Sequence, residues 1–238
     1  MRMRQVWLGM LLMLSALSGA QAQGELPGEI RLASEIWEAY TEADGTGLGW
    51  DVMREVFEPA GVRLDIHSVP YTRSVGLVQR SEADAWVGSY RDEVEGPVFY
   101  PKHHYDRDQI VALGLKDKPV PTLDSLGKYR LVWVRGYGYE EYLPNVHDYR
   151  EVQRRDGILG MLELGHADFY IDARPEVDYI MGRAAKPQQY RVTNLTQLPL
   201  YLGFANTPRG LDQRMAQPIA SGELRPIFER WQQPYPFD

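Results

Sequence analysis

Four short groups of residues have the types and spacing to do chemistry. Trp37 and Tyr40 follow an apolar strand, Ile30-Arg31-Leu32-Ala33, and rings placed there could sandwich a small ligand. Gly88-Ser89-Tyr90-Arg91 follows a second apolar strand, Ala85-Trp86-Val87. The glycine and serine admit close approach to the backbone, and Arg91 adds a planar guanidinium fork. Gly136-Tyr137-Gly138 follows a third strand, Leu131 to Val134, and Asp172 ends a fourth run, Phe169-Tyr170-Ile171. The carboxyl end of the strands is where open α/β sheets bind ligands. Each group also has a structural reading. Trp37 and Tyr40 could be core, Arg91 could be a surface arginine paired with Asp92 or Glu93, and Asp172 could cap a helix over Ala173 to Met181.

No catalytic constellation stands out. The chain has no cysteine, so thiol catalysis and disulfides are excluded. Gly-x-Ser-x-Gly, P-loop and His-Glu-x-x-His motifs are absent from the sequence. Lys102-His103-His104-Tyr105-Asp106-Arg107-Asp108 gathers histidines and aspartates, but adjacent histidines on a strand point to opposite faces and cannot easily share a metal. The segment reads as a solvated loop, and no metal or cofactor is expected. The net charge of −7 argues against nucleic acid or an anionic membrane surface as partner.

These groups need elements to hold them. Leu48, Val52, Met53, Val56 and Phe57 have helical spacing, ended by Pro59-Ala60-Gly61; Val62, Leu64 and Ile66 alternate as a strand; Pro70 opens a helix carrying Val75, Leu77 and Val78. With the strands on either side this is β-α-β-α-β, a parallel sheet covered by helices. Ala83-Asp84 before the 85–87 strand is echoed by Ala167-Asp168 before the strand at Phe169, which suggests two similar lobes facing a shared cleft. At the start, Arg2 and Arg4, the apolar run Val6 to Leu17 and Ala20-Gln21-Ala22 read as a signal peptide cut after Ala22, which places the mature protein in the periplasm with no membrane insertion.

The order of these segments resembles the family 3 extracytoplasmic solute-binding proteins, the periplasmic receptors of polar amino acid ABC transporters. The likeness rests on the aromatic loop, the Asp44-Gly45 turn, the Gly47-Leu48-Gly49-Trp50-Asp51 helix start, Glu82-Ala83-Asp84-Ala85, Leu123 to Lys128, Gly165-His166-Ala167-Asp168, Leu200 to Ala205 and the closing segment from Ile219 to Trp231. It implies a periplasmic-binding-protein-like fold of type II, with two α/β lobes, a hinge and a central ligand cleft. Lobe one would comprise 29–113 plus 200–238 and lobe two 114–199, with crossings near Gly114 to Lys118 and Thr193 to Pro199. It also implies a monomeric, non-catalytic binding protein that captures a small polar ligand, an amino acid or related carboxylate, for an inner-membrane ABC permease or a sensor domain. The ligand-binding residues would be Trp37, Tyr40, Gly88, Ser89, Tyr90, Arg91, Gly136, Tyr137, Gly138 and Asp172. Arg91 would clamp the carboxylate, with Arg73 as a weaker substitute, and Asp172 would face an ammonium. The departures are a missing threonine after the lobe-one strand and an arginine that stands early. Two rivals remain: an enzyme on the same fold, as in periplasmic cyclohexadienyl dehydratases, recruiting Glu140 or Asp172, and a signalling module.

Overall fold

The computed structural model describes residues 26–205 and 210–238; the signal-peptide reading lies outside them. In lobe one, β1 (Glu29–Ser34), β2 (Arg63–Ser68) and β3 (Ala85–Ser89) alternate with α1 (Leu48–Phe57) and α2 (Tyr71–Gln79). Then come the short β4 (Val98–Phe99) and the long β5 (Asp106–Leu115). In lobe two, β6 (Leu131–Val134), α3 (Tyr139–Tyr142), β7 (Tyr149–Val152), α4 (Ile158–Glu163), β8 (Phe169–Ala173) and α5 (Arg174–Gly182) repeat the alternation. β9 (Tyr190–Ala205) returns to lobe one, where α6 (Ala216–Ser221) and α7 (Arg225–Arg230) close the chain.

Strand order is β2-β1-β3-β9-β5-β8-β6-β7, with β4 also pairing with β9. The order is symmetric about its middle. β2-β1-β3 is parallel and meets β9 antiparallel; β7-β6-β8 is parallel and meets β5 antiparallel. β5 and β9 pair with each other from Asp106↔Leu200 to Leu115↔Tyr190, so both passages between lobes run in one antiparallel ribbon. β5 pairs with β8 at Ile110–Leu113 and with β9 along its length, and β9 goes on to pair with β3, so β9 is the strand that joins the two halves of the sheet. The return passage lies inside the unbroken β9.

The Ala-Asp echo has one physical cause in both lobes. Asp84 Oδ2 accepts the backbone N–H of Arg31 at 2.8 Å and its Nε at 3.1 Å, while Oδ1 accepts Nη2 at 3.0 Å. Asp168 does the same to Arg130, at 3.0, 3.2 and 3.2 Å. Each aspartate thus ties the start of a lobe's third parallel strand to the chain at its first. Lys118 adds a contact to Asp168 at 2.8 Å, and although partial burial pushes the carboxyl the other way, these donors hold it down at about 2. Asp168→Asn should therefore lower stability by about 1.5–3 kcal/mol at pH 7, the range for hydrogen bonds to charged groups. The difference from wild type should vanish as pH falls from about 4 toward 2, where Asp168 loses its charge. Urea titrations across that range would show it, and an unchanged midpoint at pH 7 would contradict it.

The core is built from apolar residues of the sheets and the helix faces against them. One cluster, around Trp50, Trp86, Phe204 and Phe228, reaches across to Trp133 and Tyr139. A smaller one, around Val132, Ile158, Leu162 and Tyr170, fills the outer part of lobe two.

Candidate functional site

A cleft of about 820 Å³ opens where the strand ends of both lobes meet the β5–β9 ribbon. Trp37 and Tyr40 reach it from the loop after β1, Tyr90 and Glu93 from beyond β3, Tyr137 and Tyr139 from beyond β6, and Asp172 and Glu176 from the β8–α5 corner. β5 supplies Asp106 and Asp108, two residues apart on an extended strand and therefore on one face. Tyr71, at the start of α2, completes the aromatic wall.

Of the residues expected from the sequence, Trp37, Tyr40, Gly88, Tyr90, Tyr137 and Asp172 line this cleft, and Ser89, Arg91, Gly136 and Gly138 do not. Gly88 has φ of +87°, and a Cβ there would lie 2.4 Å from Trp37 Cη2, so the indole rests directly on its backbone. Beyond it the chain turns so that Glu93 folds back: its carboxylate accepts Tyr71 Oη at 2.6 Å, Ser89 Oγ at 2.9 Å and the Tyr90 N–H at 2.9 Å. The acid, not the arginine, faces the cleft. Arg91 is carried outward, where it donates to the carbonyls of Pro101 and Lys102 and lies 4.3 Å from the centre of the Tyr201 ring. Arg73 is exposed on α2. Gly136 gives its N–H to Glu151 at 2.9 Å and lies against Thr72 of the opposite lobe; Gly138 precedes α3. Asp172 makes no side-chain cap on α5 but is buried at the cleft floor. Gly88→Ala should cost about 1–2 kcal/mol from the left-handed backbone alone and displace Trp37. Denaturant unfolding, with tryptophan fluorescence reporting the indole's environment, would register both; wild-type stability and spectrum would refute the contact.

Arg155, in the loop after β7, is the buried cation of the site. It lies 3.1 Å from Glu35 Oε1, 3.1 Å from Asp172 Oδ2 and 3.2 Å from Glu176 Oε2, and donates to Tyr137 Oη. Burial alone would lower its pKa, but the surrounding groups, Asp172 first, outweigh that and raise it. Glu35 belongs to lobe one and the other two acids to lobe two, so this cluster joins the lobes. Trp37 Nε1 also donates to Tyr137 Oη at 3.0 Å, and Tyr142 Oη to the Arg91 carbonyl at 2.9 Å.

The remaining acids have softer partners. Asp106 accepts Tyr40 Oη at 2.8 Å and Asp108 accepts Tyr90 Oη at 2.9 Å. Burial pushes Glu93, Asp106 and Asp108 each up to about 7, against the pull of their hydrogen bonds; for Asp108 the neighbouring Asp106 adds to the rise. Burial also raises Glu176. The solvated-loop reading of 102–108 therefore gives way. Asp106 and Asp108 belong to β5, and His104 packs against Phe237 at 5.0 Å, its pKa lowered to about 4 by burial and Arg107. The alternating Asp-x-Asp just before the apolar Ile110 to Leu113 was the available signal. Arg155, in Arg154-Arg155-Asp156-Gly157, carried none that separates it from a surface turn. Among the described residues no group of three or more metal-ligating side chains forms, and no helix is long and apolar enough to cross a membrane.

No family model and no curated protein matches the sequence. Solved structures do match its shape. The substrate-binding protein of an amino acid ABC transporter superposes with a TM-score of 0.67 at 16% identity, over 85% of this chain and 98% of that one. The GluR0 ligand-binding core in complex with L-glutamate gives 0.69 at 15%, over 87% and 99%. A histidine kinase sensor domain with similarity to periplasmic binding proteins gives 0.69 at 13%, over 85% and 95%. Likeness at this identity establishes architecture: the chain has the type II periplasmic-binding-protein fold, two α/β lobes about a central cleft.

Proposed function

We propose that the protein is a periplasmic solute-binding protein that captures one small polar ligand in the cleft between its lobes. The observation that carries this reading is the cleft itself, placed at the strand carboxyl ends of both lobes and lined by aromatic rings and buried carboxyl groups. Trp37, Tyr40, Tyr90, Tyr137 and Asp172 contact the ligand, and the β5–β9 ribbon is the hinge about which the lobes close. The folds it resembles serve an amino acid transporter, a ligand-binding core and a sensor domain, so delivery is to an inner-membrane permease or a sensor. Native mass spectrometry of protein purified without denaturation from its own source should show a one-to-one small-molecule adduct that disappears on unfolding. Protein that carries no adduct and binds nothing in a metabolite screen would count against capture.

A second reading is favoured by one observation. Carboxyl groups held near pH 7 in a cleft suit acid–base chemistry at neutral pH. Product formation from prephenate or arogenate would establish an enzyme; an unchanged substrate would leave the binding role alone.

A further inference from the structure

Resting on that reading of the cleft, we infer that its ligand is an organic cation, an amine or guanidinium on an uncharged body, and that no carboxylate on the ligand is required. Glu93, Asp106, Asp108, Asp172 and Glu176 line the cleft, Glu35 stands behind them, and Arg155 is the guanidinium buried among them. Arg155 is already shared by Glu35, Asp172 and Glu176, so a ligand carboxylate would compete with three acids for a cation they surround. Of the two arginines that line the cleft, Arg174 pairs through Nε with Asp178 at 2.9 Å, and Arg107, on the exposed rim, gives its Nε to the Pro236 carbonyl at 2.9 Å.

Room for a cation is present in the same place. Glu176 is 8% exposed, yet only one of its oxygens meets Arg155, and the other has no protein partner among the described residues. Asp108 likewise uses one oxygen for Tyr90, and the second is left over. Tyr235 also lines the cleft, and its buried hydroxyl has no partner among the described residues. Trp37, Tyr71, Tyr90, Tyr137 and Tyr139 line the cleft between these groups, and aromatic rings attract a cation through the ring quadrupole. The cleft thus combines uncompensated acceptors with aromatic rings, and the Arg155 guanidinium within it is already shared by three acids.

The sign of the pH dependence separates this from an anionic ligand. Asp108 is faced by Asp106 on its own strand, Tyr40, Tyr90 and Tyr105 from lobe one, and Asp172, Glu176 and Tyr139 from lobe two; Glu93 by Tyr71, Tyr100 and Tyr142; Asp106 by Tyr40, Tyr105 and the backbone N–H of Arg107. A cation favours the ionised carboxylates, so binding it expels protons held near neutral pH, and affinity rises with pH. A bound anion would reverse both effects.

The test is titration calorimetry on the dialysed full-length protein with matched probes: agmatine against arginine, cadaverine against lysine, tyramine against tyrosine, and glutarate as the anion. In at least one pair the decarboxylated member should bind roughly tenfold tighter, with affinity rising roughly three- to tenfold from pH 6 to pH 8 and buffer-dependent heats showing proton release. Asp108→Asn, and Glu93→Gln as a second variant, should each weaken that binding by roughly tenfold or more with circular dichroism unchanged. Tighter binding of the amino acids or glutarate, or affinity that falls as pH rises, would overturn the cationic ligand while leaving capture intact. If no probe binds, the mass of the native adduct decides: a basic nitrogen without a carboxylate supports the inference, and any other composition overturns it. No adduct and no probe binding would remove the capture reading, and this inference with it.

Discussion

Replacing Arg155 by methionine is expected to destabilise the protein by about 3–5 kcal/mol at neutral pH, the usual cost of removing one partner from a buried ion cluster. The side chain is 15% exposed and holds three carboxylates within 3.2 Å. Without it Glu35, Asp172 and Glu176 face one another unpaired. Burial already raises the Glu176 pKa and Arg155 opposes that rise, so in the variant it lies further above its unfolded value, and the variant loses stability as pH rises and recovers in acid. Guanidinium titrations at pH 5 and pH 8 would show the larger deficit at pH 8. Adding Asp172→Asn and Glu176→Gln should return part of the loss, because the variant's defect is uncompensated charge more than lost packing. Since Glu35 lies in the opposite lobe, the single variant should also have a larger radius of gyration by small-angle scattering. Wild-type stability at both pH values would mean the cluster does not depend on its arginine.

The second large effect needs no mutation. Glu93, Asp106 and Asp108 stand at about 7 in the folded protein, against about 4 in an unfolded chain. Between those limits the folded state holds protons that the unfolded state has lost, so stability falls as pH rises through the window and levels off above it. Each pKa unit of each group corresponds to about 1.4 kcal/mol. After discounting for coupling and solvent relaxation, the total from pH 5 to pH 8 should be on the order of 3–6 kcal/mol. Asp108→Asn keeps an oxygen for Tyr90 to donate to and removes one contributor. It should match wild type near pH 5 and exceed it by about 1–3 kcal/mol at pH 8. The same pH slope in both proteins would show that burial does not raise the Asp108 carboxyl.

Much of the frame was legible in the sequence, because its signals are local. Alternation in Val62-Leu64-Ile66, helical spacing from Leu48 to Phe57, and the short apolar runs at Ala85 and Leu131 each report a face that must be buried. The Ala-Asp echo was visible as well, and its cause, the Arg31–Asp84 and Arg130–Asp168 forks, joins residues far apart in the chain and so was not. The cleft divides the same way. Trp37, Tyr40, Gly88, Tyr90, Tyr137 and Asp172 were identified by their place after a strand. Arg91 was assigned by the same logic, but the turn that folds Glu93 inward carries it out, and no periodicity reports the direction of a turn. Arg155 and Glu35 are 120 residues apart and share no local pattern.

The β5–β9 ribbon also bears on how the chain folds. Lobe one cannot finish its sheet from its own first stretch: Trp86 of β3 waits for Gly203 of β9, and Asp106 for Leu200. At a synthesis rate of about 5–20 residues per second, roughly 5–24 s separate the making of these partners. During that interval β3 has an unpaired edge, and the pairing that closes it carries a high loop-closure entropy, which slows folding. The sheet of the lobe whose strands are made first therefore cannot be completed until all of lobe two has been synthesised.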